Sequence, residues 1–281
     1  MISSQSLTKL SASIALACAA AFTALPAAAQ PTPPSPEISL ARLDCGTPVL
    51  NIVARFNDTW AFTDNKVLFT FSCYLIKRGD DYMLWDTGHA LTAGAPAPKV
   101  SIVDQLAQIN VRPEQIKYVG ISHYHADHTG QVASFPDATV LIGKGDWEGI
   151  TAPKPNVGAN VAPFAHWISG GGKLEALPGD KDVFGDGSVV ILNTPGHTPG
   201  HHSLLVKLNR TGNVLITGDL SHFQENYQQR RARLQLPPGR HAGVTGPFQN
   251  SGRQFEGHRD HSARCARCGQ AAGVAGFCEV I

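Results

Sequence analysis

Charge is scarce in this chain. Only 16% of its 281 residues are Asp, Glu, Lys or Arg, and 23 basic residues against 22 acidic ones leave a formal net charge of +1. With no basic excess there is no electrostatic footprint for nucleic acid. Past the first 29 residues there is no apolar run long enough to span a bilayer. No Gly-x-Ser-x-Gly elbow occurs, so the serine nucleophile of that turn is absent. No short fixed period repeats, which excludes a solenoid. What is present is a 42% hydrophobic composition, enough for a packed core and too much for wholesale disorder. The length suits one large domain or two small ones. The unusual feature is histidine, with 12 copies, several of them clustered.

Residues 1–29 read as a secretory signal peptide. Lys9 is their only charge, an Ala-rich apolar stretch runs from Leu10 to Leu25, and Ala27-Ala28-Ala29 offers a small-x-small cleavage site before Gln30. Pro26 and the prolines of 31–35 argue against a continuing helix. Residues 30–36 then form a linker, and 37–236 form the folded domain. The expected location is periplasmic or secreted, where thiols oxidise. Cys45 and Cys73 lie in or beside strand-like segments, as a disulfide or as two buried thiols.

Val67–Ile76 alternates, and Tyr82–Asp86 follows the turn Arg78-Gly79-Asp80-Asp81, which predicts a hairpin. Apolar residues at 102, 103, 106 and 109 predict a helix beginning at Ser101, and Pro113 opens a second, shorter one. Strands are expected at Lys117–Ser122, Ala138–Gly143, Val189–Asn193, His202–Leu208 and Asn213–Thr217, with a short helix from Lys144. Antiparallel runs with helices between some of them predict two packed sheets, helices outside and loops gathered at one edge.

The strongest motif is His123-Tyr124-His125-Ala126-Asp127-His128, where a buried strand ends. In extended chain, residues i and i+2 point the same way, so His123 and His125 aim at one point. Asp127 keeps that parity, and His128 swings to a neighbouring point as the chain turns. Three imidazoles and a carboxylate in six residues suit a borderline cation such as zinc. Without a cation they would be a costly group to desolvate. Thr194-Pro195-Gly196-His197-Thr198-Pro199-Gly200 and Thr217-Gly218-Asp219 each follow a strand and add His197 and Asp219.

With these stretches, Leu43-Asp44-Cys45-Gly46, Ser72-Cys73-Tyr74-Leu75-Ile76 and Leu84-Trp85-Asp86-Thr87-Gly88, the sequence resembles the metallo-β-lactamase superfamily, in its N-acyl homoserine lactonase branch, over roughly Leu43 to Tyr227. The resemblance implies an α+β fold, the αββα sandwich, and two zinc ions per chain. It makes His123, His125 and His197 ligands of the first zinc. Asp127 and His128 become ligands of the second, and Asp219 the bridge. Asp86 would hold the ligand loop or be an ordinary turn residue, and His201 and His202 would support the site. The implied reaction is opening of a lactone or related ester by a hydroxide held between the metals, with Asp127 or His222 moving the proton. The alternatives are another ester, thioester or β-lactam hydrolase on the same fold, or an inactive metal-binding remnant. The implied partner is a small-molecule lactone or ester. Two departures are Ala126, where lactonases carry an aromatic residue, and His222, where they carry a tyrosine. The sequence specifies no oligomeric state.

Residues 237–281 form an atypical tail. From Gly239 onward there is no Leu, Lys, Tyr, Trp or Met, and neither helical nor strand periodicity. The resemblance calls for one more histidine for the second metal here, and no equivalent is found, so that site lacks one ligand. His258, His261, Cys265 and Cys268 have a zinc-knuckle spacing without an apolar frame around it. We read the tail as a frameshift product. Advancing the frame one base from about Ala232 permits, through synonymous codon choice, a string with a helical period, a β-rich strand and a final His-Asp. Many other strings are permitted too. The C-terminal part of the sandwich is therefore expected to be incomplete or altered.

Overall fold

Neighbouring residues of the central strands go to opposite sides, and this alternation creates the layers. The computed structural model describes residues 36–56 and 66–222. Strands β1 (Ile38–Ile52), β2 (Lys66–Arg78), β3 (Asp81–Trp85), β4 (Ile116–Ile121), β5 (Thr139–Gly143) and β6 (Leu174–Leu177) form a six-stranded sheet in sequence order. Strands β7 (Lys181–Asp182), β8 (Val189–Asn193), β9 (His202–Leu208) and β10 (Gly212–Ile216) form a second sheet in the order β10-β9-β8-β7. Leu75, Leu84, Val140 and Ile142 face a core shared with Ile102 and Leu106 of helix α1 (Ile102–Ala107), Phe135, Phe164 and Trp167. Their neighbours Ile76, Met83, Trp85 and Leu141 turn the other way and pack between the sheets against Val189, Ile191, Leu204 and Val206. Among the described residues these are one helical layer and two packed sheets of the αββα class. Among the described residues no helix is long and apolar enough to cross a membrane.

Three expectations need correction. The first sheet is not built of antiparallel runs throughout. Strands β1, β2 and β3 are antiparallel, but β3-β4, β4-β5 and β5-β6 are parallel. Parallel neighbours need a crossover, and α1 and the Pro113–Gln115 turn lie in the one joining β3 to β4. The long strand β1 was not foreseen, because its register shifts twice, around Gly46, and so breaks the alternation. Strands β6 and β7, four and two residues long, were also missed. Cys45 and Cys73 are joined as a disulfide between β1 and β2. The signal segment 1–29, the linker residues up to 35, the tail 237–281 with its zinc-knuckle spacing, and the shifted-frame reading lie outside the described residues.

This topology decides what meets at the edge. Strands β3, β4 and β5 are parallel, so the segments that follow them emerge together. They carry Asp86, the 122–128 segment and Asp146.

Candidate metal centre

After Ile121 the chain leaves the strand and bends, and His125, with φ of −67° and ψ of 158°, becomes the N-cap of helix α2 (Ala126–Thr129). His123 and His125 nevertheless converge. Nε2 of His123 and Nε2 of His197 each lie 2.9 Å from Nδ1 of His125. The helical turn then breaks the parity expected for Asp127 and carries it away with His128. Asp127 stands at the rim, its Oδ2 3.6 Å from Nε2 of His128. It belongs to none of the tight three-donor groups formed among the described residues.

Asp219 ties the donors together. It follows β10 in the short 3-10 turn Gly218–Leu220. Gly218 has φ of +56°, and a side chain there would meet Nε2 of His201 at 3.0 Å. One Asp219 oxygen, Oδ2, lies 3.3 Å from His197 Nε2 and 3.8 Å from His123 Nε2. The other, Oδ1, lies 3.2 Å from His128 Nε2. His222 adds a fourth imidazole on the Oδ2 side, with Nε2 3.2 Å away. Its ring stacks on Phe69 at 5.8 Å and tilts against Phe56 at 4.6 Å. The sequence thus brings seven donors from three distant stretches to one edge, with Asp127 outermost.

Behind them, buried Asp86 accepts hydrogen bonds from the Ser122 amide (2.7 Å) and hydroxyl (2.8 Å) and pairs with His128 Nδ1 at 2.9 Å. Its φ of +61° is left-handed, a conformation that Asp tolerates better than most residues. His201 Nδ1 meets the Thr194 carbonyl at 3.1 Å, and His202 Nδ1 meets the Gly200 carbonyl at 2.7 Å. Neither ring joins a three-donor group. Two further groups escaped the sequence reading. His89 sits edge-on to Phe71 at 4.5 Å, its Nε2 buried without a hydrogen-bond partner among the described residues. Asp146 is fully buried behind the ligand loops. A lone His or Asp beside a glycine gives no signal in sequence.

The electrostatics divide the centre. Burial holds His123 well below the ordinary imidazole range, brings His197 down to about 2 and lowers His125. These three rings are neutral, as metal ligands must be. Burial also works against charge on His128, but Asp219, Asp127 and Asp86 outweigh it and hold its pKa well above the usual value. Burial would raise Asp219, yet His128, His222 and His123 keep its carboxyl well below the usual range. The donor set fits zinc: Nε2 of His123, Nδ1 of His125 and Nε2 of His197 converge, and the Asp219 carboxylate closes the group.

The metallo-beta-lactamase superfamily model matches residues 71–254, and the chain belongs to that superfamily. This is a metal-dependent superfamily, and His123, His125, His197 and Asp219 could bind the metal. The N-acyl homoserine lactonase AttM of Rhizobium radiobacter is 33% identical over 143 residues, 46% of this chain and 50% of that protein. An N-acyl homoserine lactonase of a Bacillus species is 30% identical over 173 residues, 56% of this chain and 66% of that protein. The chain thus spans between half and two thirds of the length of these relatives. Among solved structures, a quorum-quenching N-acyl homoserine lactone hydrolase superposes with a TM-score of 0.60 at 24% identity, covering 70% of this chain and 79% of that one. A second N-acyl homoserine lactone hydrolase, with N-hexanoyl-L-homoserine at its catalytic metal center, gives 0.58 at 23% identity, covering 70% and 81%. At these identities the structures establish the shared fold.

Proposed function

We propose that this chain is an exported hydrolase that opens lactone rings of the N-acyl homoserine lactone type at a centre of two zinc ions. The observation that carries the reading is Asp219, one oxygen facing the three-imidazole group and the other facing His128. His123, His125 and His197 would hold one ion, His128 and Asp127 the other, and Asp219 both. When bound, zinc supplies Lewis acidity and lowers the pKa of water to about 7.

The remaining work falls to the chain's own side chains. His222 Nε2, 3.2 Å from Asp219 Oδ2, would turn its hydrogen bond to the ester oxygen as charge gathers there, once Asp219 is engaged by the metals. Phe56 and Phe69 hold the His222 ring in place and keep water from that side. Asp127, at the rim, is exposed enough to pass a proton to solvent. Asp86 keeps His128 oriented through Nδ1. The names of the relatives support a lactone as substrate. The Ala-rich segment 1–29 and the disulfide between Cys45 and Cys73 support export to a periplasmic or extracellular compartment.

The test is a substrate panel on the full chain loaded with zinc. Ring opening of N-hexanoyl and N-decanoyl homoserine lactones is followed by acid release, beside a thioester and a β-lactam. The lactones are expected to give the highest kcat/KM. A higher value for the thioester or β-lactam, or no lactone turnover by chain that holds zinc, overturns the reading.

A further inference from the structure

Asp146 ligates nothing and takes no part in the chemistry above, yet it is fully buried. A carboxylate in such a place is tolerated only when its oxygens are hydrogen-bonded. Asp146 sits in the first turn of helix α3 (Lys144–Thr151), directly after β5. Its Oδ2 accepts from the Tyr124 amide at 3.0 Å and from the Thr198 hydroxyl at 2.8 Å. Its Oδ1 accepts from the Gly200 amide at 2.6 Å. Tyr124 lies between His123 and His125, and Thr198 follows His197. One carboxylate therefore grips the two segments that supply all three imidazoles of the first group.

The surrounding backbone is cut to permit this. A Cβ on Gly143 would overlap the Gly200 carbonyl, one on Gly145 would come within 2.9 Å of the Pro199 carbonyl, and one on Gly200 would lie 3.0 Å from the Asp146 carboxyl carbon. Three glycines let the start of α3 touch the His197 loop, so that a side chain as short as Asp spans the gap.

We infer that Asp146 is a positioning residue that fixes His123 and His125 relative to His197 and thereby sets the zinc affinity of the three-imidazole group. It serves that group as Asp86 serves His128, but through backbone and hydroxyl donors instead of a ring nitrogen. The inference rests on the zinc reading proposed above.

The test is Asp146→Asn in the full chain. Stepwise zinc and cobalt(II) affinities are measured by chelator competition, and exchange of the Tyr124 and Gly200 amides is followed in the metal-free chain. The first-group affinity is expected to fall about 10- to 100-fold, with the second changing by less than about threefold. The two amides should exchange faster. Thr198→Val removes one donor and should weaken the same group by a smaller factor, and the double variant should lose no more than Asp146→Asn alone. First-group affinity within about twofold of the unaltered chain overturns the inference. So does an equal loss at both groups that merely follows the drop in Tm. Should Asp146→Asn not fold, Thr198→Val decides: unchanged affinity overturns the inference. An unaltered chain that binds no zinc overturns the underlying reading, and the inference with it. Two zinc ions bound equally well with and without the Asp146 carboxylate overturn the inference alone.

Discussion

The two halves of the donor cluster grow from one strand end, yet they are built on opposite principles. The half made by His123, His125 and His197 is rich in nitrogen, with His123 and His197 buried and His125 half-buried, and burial lowers the pKa of all three rings. The half around His128, Asp127 and Asp219 is rich in oxygen and more open, and three neighbouring carboxylates raise the pKa of His128 against its burial. A cation entering the first half meets lone pairs already aimed at it. In the second half Asp127 stands at the rim and must come in to reach it. Under the two-zinc reading proposed above, these halves would be two sites of different readiness, with the turn into helix α2 at Ala126 as the boundary between them.

Four experiments can break or sharpen that contrast. The largest effect is expected from Asp219→Ala, because Asp219 alone faces both halves. Loss of several kcal/mol of transition-state stabilisation should lower kcat/KM for a lactone by about 10³-fold or more, and a loss below tenfold would deny it a bridging role. Next, His197→Ala and His128→Ala should differ in metal content. The first should lose its zinc at the three-imidazole group, and the second should keep it, which elemental analysis after gel filtration would show. Equal loss in both would erase the distinction. His222→Phe should keep its metal and its fold while kcat falls about 10²-fold, in line with loss of one positioned donor. A change confined to KM would reassign the ring to substrate binding.

The smallest effect concerns the metal-free chain. Burial raises Asp146 to about 6, against the hydrogen bonds from Thr198, Gly200 and Tyr124 that lower it, and none of those partners titrates in acid. Its folded pKa lies above its unfolded value. The folded state therefore holds the proton more tightly, and this contribution to stability falls as pH rises from about 4 to about 6. The loss is about 3 kcal/mol for one group shifted by this much. Other groups titrate in the same range, so the checkable quantity is the unfolding free energy of the parent minus that of Asp146→Asn. That difference should decline across the window, and a flat or rising difference would refute the assignment.

Much of the first half was legible because its logic is local. Two histidines at i and i+2 just past a strand end converge within one short segment, and a Pro-Gly-flanked His197 needs only a tight loop. Asp86, the residue after β3, was singled out through the family resemblance, with an ordinary turn residue as the alternative. The strand parity expected for Asp127 stops at Ala126, where the backbone becomes helical. Asp146 was invisible, as its meaning arises from backbone amides 22 and 54 residues away. Likewise β4, β5 and β8 to β10 were foreseen from runs of apolar residues, whereas β1 hid behind the register shifts at Gly46. The parallel pairing of β3 to β6 is set by crossovers, which no window of residues encodes.

The cystine linking β1 to β2 carries a practical consequence. Gly88 lies against Cys45 so closely that a Cβ would come within 2.9 Å of its sulfur, and the His89 amide bonds to the Cys45 carbonyl at 3.0 Å. The cross-link closes a span of 28 residues, an entropic restraint on the unfolded chain of about 3–4 kcal/mol. Recombinant material from a host whose cytosol keeps thiols reduced would forgo that restraint right behind the Asp86 turn. Yield and turnover from such preparations would then understate the enzyme, so oxidative expression belongs in any assay protocol.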